Sequence, residues 1–516
     1  RAGPSATFVD PLSLGSIEIS RGPGSVAYGS DALGGVVHLR PRDPIPGQPE
    51  VRYDAWASFG GTEARAVAGE GSMDLLGGAI LASIHTRSAD DGQDGNGDPI
   101  LNSGYEDRGA LLRFVRDSSW GRMRIGLMSS SARDVGAPTS DTVLTLYPEE
   151  DANLLTFALD IPKVSVFDSA SVRASIGSYE ITTNRIRTTG IESAEVKARD
   201  GSVRLSGERA TERTRIVTGV DFVSRFNLRA PGSIDDADRY DTGLFATWES
   251  RVSRAVQLAA GGRLDYVATR NHGGYFGDAS IDDTALSGFG AATVGPFNGI
   301  TATLQVSSGY REPTLSDRYF RGISGRGFVV GNPLLEPERS VQVDAGVRWS
   351  GARSRVALFG YHYKISDLVE RFRNGADFNF RNRGEATIHG FELETATRLM
   401  QDIELIAGAA IARGEADGAD LDDIAAPSLH ASVRWAAENK SAFFGASLVG
   451  RDDRPGPVET TRAGYTSLDA GAGWRFTPWL EVRVVVRNLT DAQRFGSPDA
   501  VAAFAPGRSF TIGINR

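Results

Sequence analysis

The chain has 516 residues, 40% of them hydrophobic, with 56 Lys and Arg against 65 Asp and Glu, a formal net charge of -9 and no cysteine. The acidic balance argues against a nucleic-acid partner, which needs a basic face, and the missing cysteine excludes a disulfide framework, a thiolate metal site and a cysteine nucleophile. No run approaches the roughly 18 apolar residues of a membrane helix. The 61 glycines point to many tight turns or close backbone approaches.

The chain opens RAGPSATFVDP, without an initiator Met or a leader, so a processed or partial form is expected. Residues 18–39 then read EISRGPGSVAYGSDALGGVVHL: a short strand, paired glycines and a second strand. Gly22, Gly24 and Ala27 fit the dinucleotide pattern G-x-G-x-x-A. Pro23 interrupts the pattern, however, and Tyr28-Gly29-Ser30-Asp31 breaks the helix that should follow. The Pro-rich stretch at Pro41, Pro44, Pro46 and Pro49 leaves no room for a second βαβ strand. A glycine-rich turn between two strands remains.

From Val51 onward, strict alternation dominates. In SVQVDAGVRW, Val341, Val343, Ala345, Val347 and Trp349 share one face, and Gln342, Asp344, Gly346 and Arg348 the other. Leu468, Ala470, Ala472, Trp474 and Phe476 alternate in the same way with Ser467, Asp469, Gly471, Gly473 and Arg475. Period two means strands with one apolar and one polar face. Short connections at residues 116–121, 295–299, 437–441 and 476–480 alternate with long ones at 88–105, 133–151, 227–239, 269–283, 311–339, 413–427, 452–462 and 491–507. About 22 such segments fit between Val51 and Arg516, each a strand of about ten residues plus a connection. The predicted fold is all-β: a 22-stranded antiparallel transmembrane barrel, the class whose lumen is plugged. The alternative, a propeller or solenoid, would show a fixed-period repeat.

With a large barrel behind it, the opening stretch resembles the end of the plug domain of TonB-dependent outer-membrane receptors, which read roughly I-E-V-x-R-G-P-x-S-x-x-Y-G-x-x-A-x-G-G-V-I. Ile17, Glu18, Arg21, Gly22, Pro23, Ser25, Tyr28, Gly29, Ala32, Gly34, Gly35 and Val36 match. GYREPTLSDRYFRGISGRGFVVGNPLLEPERS, most recognisable over residues 331–338, resembles the family's long seventh external loop. FRNRGEATIHGFELE and VRNLTDAQRFGSPDA also match. The resemblance implies that residues 1–45 are the C-terminal part of a plug and that 46–516 are a barrel with long extracellular loops. It implies a bacterial outer-membrane location and a monomer surrounded by outer-membrane lipid. The amino-terminal TonB box and most of the plug are not among these residues. Arg516 also stands where the family usually closes on an aromatic residue. The seventh loop lacks the Phe-Arg-Ala-Pro motif and histidine of the haem branch.

No H-E-x-x-H, G-x-S-x-G or P-loop pattern occurs, so no enzyme is expected. The resemblance implies a receptor for TonB-dependent, energy-coupled uptake of a scarce ligand such as a ferric siderophore or cobalamin. TonB would act through the missing amino-terminal region. In the seventh loop, Arg311, Arg318, Arg321 and Arg326 with Tyr319 and Phe320 suit an anionic, partly aromatic ligand. The competing reading is a solvated loop with ion pairs to Glu312 and Asp317. In ADDGQDGNGDP, residues 89–99, Asp90, Asp91, Asp94, Asn96 and Asp98 sit on a glycine-rich loop. Such oxygen ligands suit a structural calcium, which the family's cobalamin transporters bind in an acidic loop in this region. The same residues are also ordinary turn chemistry. No other cofactor is expected.

Two alternatives stand beside uptake: a passive porin, which would have 16–18 strands, and a truncated remnant that does not transport. Lumen-facing Asp344, Arg348, Asp469 and Arg475 are expected to solvate the interior or clasp the plug, and residues 17–19 and 36–39 to pair with the barrel wall. A 22-stranded lumen is too wide for side chains alone to fill, and 45 glycine-rich residues bury little against their ordering entropy. Residues 1–516 refolded alone in a planar bilayer are therefore expected to conduct as a large leaky pore. An electrically tight chain would mean that the short plug segment seals it.

Overall fold

Alternation builds the wall. The computed structural model describes residues 9–22, 24–140, 143–324, 327–375 and 377–516. In its strand Glu338–Ser350, Val341, Val343, Val347 and Trp349 are exposed on the outer face. Gln342 and Asp344 face the lumen. There Gln342 donates from Nε2 to the Leu33 carbonyl at 2.7 Å, and Asp344 lies against Gly22. The wall closes as an antiparallel barrel of 22 strands. Ser509–Asn515 pairs in register with the first barrel strand, Glu50–Gly60. A porin's smaller count does not describe it.

The predicted short turns stand where expected, between Ser118 and Gly121, Phe297 and Ile300, Ala436 and Lys440, and Thr477 and Leu480. Six of the seven tryptophans, Trp120, Trp248, Trp349, Trp435, Trp474 and Trp479, are exposed within or beside the short turns at this end, Trp248 near the turn between Arg251 and Val256. They form an aromatic girdle at that end, as a membrane interface requires.

Several connections read as long loops are instead strand. Gly121–Ala137 and Leu144–Val164 run through most of 133–151. Thr214–Ala230 and Ile234–Arg251 nearly meet within 227–239. Val256–His272 and Ala279–Phe297 do the same within 269–283. Beyond the bilayer both strand faces meet water, so the apolar alternation stops while the backbone ladder continues. Sequence periodicity loses such strands at the membrane border.

Within the lumen, Leu14–Arg21 and Gly35–Pro41 form an antiparallel hairpin, with Ile17 opposite Leu39 and Ile19 opposite Val37. The expectation that they pair with the wall is corrected: they pair with each other. A closed barrel has no free edge, so no wall strand is left to accept them. Gly35 sits at φ 154°, where an added Cβ would meet the Ser20 carbonyl at 2.6 Å, so the hairpin return demands glycine. Ile17, Ile19, Val37 and Leu39 remain exposed inside the lumen.

Side chains therefore hold the hairpin to the wall. Arg21 pairs with Glu392, at 3.2 Å, and with Glu394. Asp43 accepts from Arg113 and from Arg124, the latter at 2.8 Å. Arg42 meets Glu70 at 3.0 Å. Burial alone would raise the Asp43 carboxyl, but the hydrogen bonds from Arg124 and Arg113 overcome it and hold the group below its ordinary 3.8. A depressed folded value contributes stability above the unfolded value and loses it as pH falls through the folded one. Asp43→Asn should weaken this anchor by about 2 kcal/mol, measured as faster proteolysis across residues 36–48 at neutral pH. Wild type should match the variant only in strong acid.

Candidate functional site

The outer mouth is organised by residues 312–337, between Ile300–Arg311 and Glu338–Ser350. Thr314 caps the helical turn Leu315–Tyr319 in a capping box: its hydroxyl accepts from the Asp317 N–H at 3.0 Å, and the Asp317 carboxylate accepts from the Thr314 N–H at 3.0 Å. That turn buries Leu315 and Tyr319 against Leu228, Ala230, Ile234 and Ala237 of the neighbouring wall.

The predicted arginines are engaged by the protein. Arg318 is 1% exposed. Its Nη2 lies 2.8 Å from Glu312 Oε1, 3.8 Å from Asp283, and donates to the Leu335 carbonyl at 2.8 Å. Arg311 pairs with Glu338 and, at 3.3 Å, with Asp317. Arg321 stacks over Tyr275 and Phe328, 4.4 and 5.0 Å from their ring centres. Arg326 lies outside the described residues. The ion pairs to Glu312 and Asp317 that the sequence offered as the competing reading are both present, on a segment that is packed rather than solvated.

Arg311 and Phe320 nevertheless line a cavity of about 570 Å3, whereas Arg318 and Tyr319 are not part of its lining. Across it lie Tyr147, Tyr179 and Phe380, with Glu370, Asp422, Asp423 and Glu459 contributed by distant loops and strand ends. Burial raises the Asp422 carboxyl against the opposing Val458 N–H, and raises Glu459 against the N–H groups of Asp423 and Gly456. The carboxylates lie well beyond the seventh loop in the chain, so sequence reading missed them. Asp422-Asp423 was the one visible signal.

The acidic loop is closed on itself. Asp94 accepts from the N–H groups of Asn96 at 2.8 Å and Asp98 at 3.1 Å, and from Gln493 Nε2 at 2.8 Å. Asp91 accepts from the N–H groups of Asn102, Ser103 and Gly104. In both, these bonds outweigh desolvation and hold the carboxyl below its ordinary value. Asp90, Asn96 and Asp98 are exposed. Among the described residues no three His, Asp or Glu side chains converge as a metal-ligand set.

The plug-like motif reaches the mouth. The Glu312 N–H donates to Ser30 Oγ at 3.1 Å. Tyr28, Gly29 and Asp31 share a polar pocket of about 220 Å3 with Thr314 and Leu315. Gly29, at φ 80°, lies against the Arg263 guanidinium, which is held by Asp221 and Asp265. Gly22, also at φ 80°, packs near Asp344 and Gln305, and Gly34 stands in open space. Pro23 lies outside the described residues.

Comparison with known proteins agrees with this geometry. The family described as TonB dependent receptor-like, beta-barrel matches residues 78–489. The vitamin B12 transporter BtuB of Vibrio vulnificus is 23% identical over 95% of this chain and 77% of its own. The iron-regulated outer membrane virulence protein of Vibrio cholerae is 23% identical over 94% and 77%. Among solved structures, the copper transporter OprC superposes with a TM-score of 0.87 at 18% identity, covering 98% of this chain and 89% of that one. The FrpB iron transporter from Neisseria meningitidis gives 0.80 at 15% identity, covering 98% and 88%.

Burial pushes the Glu312 carboxyl up to about 7 from an ordinary 4.5, with Arg318 pulling the other way. Because the folded value is the higher, the folded segment holds an extra proton between the two. The stability it brings is full below the lower value and lost as pH rises through the upper one. Amides of residues 312–320 should therefore open more readily at about pH 8 than at about pH 5 once intrinsic exchange is corrected. Glu312→Gln should flatten that dependence in hydrogen exchange.

Proposed function

The chain belongs to the TonB-dependent receptor family, and we propose that it imports a metal chelate or a corrinoid of neutral or positive charge, bound first in the mouth cavity. It is an outer-membrane β-barrel transporter and no enzyme. Members of the family bind their ligand outside and draw on TonB for uptake. One observation carries the finer reading: residues 311–320 touch both compartments. Arg311, Ser316, Asp317 and Phe320 line the cavity, while Glu312 between them is bonded to Ser30 of the hairpin segment. A ligand that shifts the cavity wall thereby acts on the plug.

The charge preference follows from the lining. Arg311 is neutralised by Glu338 and Asp317, and Glu370 by Arg381 and Arg383. Asp422 and Glu459 accept from backbone N–H groups, and Arg371 of the same lining also draws on Asp422, but Asp317, Glu370, Asp422, Asp423, Glu459 and Asp499 outnumber the lining cations Arg311 and Arg371. An aromatic wall with surplus carboxylate favours a cationic or neutral ligand over a polyanionic chelate.

Equilibrium binding to the detergent-purified receptor tests this with a cationic ferric hydroxamate, an anionic ferric tris-catecholate and cyanocobalamin. Asp422→Asn with Glu459→Gln should weaken the cationic chelate roughly tenfold, about 1.4 kcal/mol, and leave cyanocobalamin within about twofold. Tightest binding of the catecholate, strengthened further in the double variant, would overturn the charge preference.

A further inference from the structure

We propose that the outer face of the barrel binds a phosphorylated lipid of the outer leaflet, its phosphate on the row His362–His389–Arg413 and an acyl chain in the apolar groove beneath. The row's direction follows from register. Asp344 faces the lumen, against Gly22, so its neighbour Val343 faces out. Val343 pairs with His362, His362 with His389, and His389 with Arg413. Side chains directly opposite on one face of adjacent strands have Cβ atoms about 5 Å apart. The two imidazoles stack with ring centres 6.2 Å apart at 27°.

The row's height follows from the strands below it. On Asp377–Met400 the outward residues Leu399, Leu393 and Phe391 are exposed and apolar, and His389 comes next. On Ile403–Ala416 the outward run Leu405, Ala407, Ala409 and Ile411 ends at Arg413. Ten to eleven residues of tilted strand above the short turn correspond to about 25 Å, the height of a barrel's apolar band. The row therefore stands where hydrocarbon gives way to headgroups. Directly below it Leu358, Phe391, Leu393, Ile411, Leu429 and Leu448 line a groove of about 460 Å3 on the outer surface.

Several other outward cations near the same border are answered by a carboxylate, although among the described residues Arg65, Arg108 and Arg339 are not. Arg133 is paired with Glu149 and Asp151, Lys197 with Glu180 and Glu195, and Arg270 with Asp282. Lys364, one step above His362 on the same face, is paired with Glu385 at 2.7 Å. Among the described residues, no carboxylate lies within ion-pair distance of His362, His389 or Arg413. Cationic and imidazole donors without a protein counter-ion, at the headgroup level and above an apolar groove, match an anionic headgroup joined to an acyl chain.

Native mass spectrometry and titration of the detergent-purified chain test the site with dioleoyl phosphatidic acid, dioleoylglycerol and inorganic phosphate. Wild type should retain one phosphatidate, and His362→Gln/His389→Gln/Arg413→Gln should bind it at least tenfold more weakly. Dioleoylglycerol should bind both proteins equally weakly, and inorganic phosphate should not displace the lipid at matched concentration. Ala409→Phe leaves the row intact and fills the groove, so it should lose phosphatidate too. It also decides the matter if the triple variant fails to show heat-modifiable migration. Undiminished phosphatidate binding in either folded variant overturns the proposal, as does displacement by inorganic phosphate, which would leave an anion site without a lipid.

Discussion

Hydrocarbon leaves no partner for a bare N–H or carbonyl, and everything else in this chain is arranged around that fact. The wall satisfies it by closing, so that Ser509–Asn515 meets Glu50–Gly60 and no edge remains. Closure in turn decides how the luminal segment is held. With no strand edge to join, the hairpin Leu14–Arg21 and Gly35–Pro41 pairs with itself and meets the wall through side chains: Arg21 with Glu392 and Glu394, Gln342 with Leu33, Asp43 with Arg113 and Arg124. A shared ladder would have to be unzipped cooperatively. Separate ion pairs, several of them half-exposed and individually modest, can be released one by one. The second kind of attachment suits the proposed coupling, in which a ligand at the mouth acts on the insert.

The mouth follows from the same closure. Strands joined by tight turns outside the bilayer stand as paired ribbons, and the long connection between Ile300–Arg311 and Glu338–Ser350 folds inward among them. It packs its helical turn on Leu228, Ile234 and Ala237. In doing so it places Arg311 and Phe320 on the cavity and Glu312 on the hairpin. The buried Glu312–Arg318 pair adds little net stability to this segment, because the desolvation of two charges offsets much of their attraction. The pair fixes orientation more than it adds stability.

The wall was legible in the sequence because lipid imposes period two on every strand that crosses it. Val341, Val343, Val347 and Trp349 announced their face, and the segment count matched the strand count. The strands above the membrane around 133–151 and 227–239 were not legible, since water on both faces removes the pattern while leaving the ladder. At the mouth, sequence found the right loop and the right ion partners, Glu312 and Asp317, because these are neighbours in the chain. It missed Glu338 as the partner of Arg311, and it missed the carboxylates of Asp422 and Glu459. Those meet the loop only through the curvature of a closed sheet. Burial, which turns a solvated loop into a packed one, is likewise set by strands far away in sequence.

The distribution of charge carries the argument one step further. Inside the lumen and around the outer border, many arginines and lysines are answered by a carboxylate on the same or a nearby strand, as Arg263 is by Asp221 and Asp265 and Lys197 by Glu180 and Glu195. Such pairing costs little to assemble, because antiparallel register sets the partners side by side before any side chain is ordered. Where pairing is that readily available, a cationic row left without it marks a place where the counter-charge comes from elsewhere. A cluster of carboxylates in excess of cations marks the same thing with the opposite sign. The acidic lining of the cavity, with Asp422 and Glu459, and the row His362, His389 and Arg413 on the outer face are two departures of this kind. In the proposed arrangement the closed barrel carries an acidic surface at its mouth cavity and a basic one on its outer face without the two sets of charges meeting.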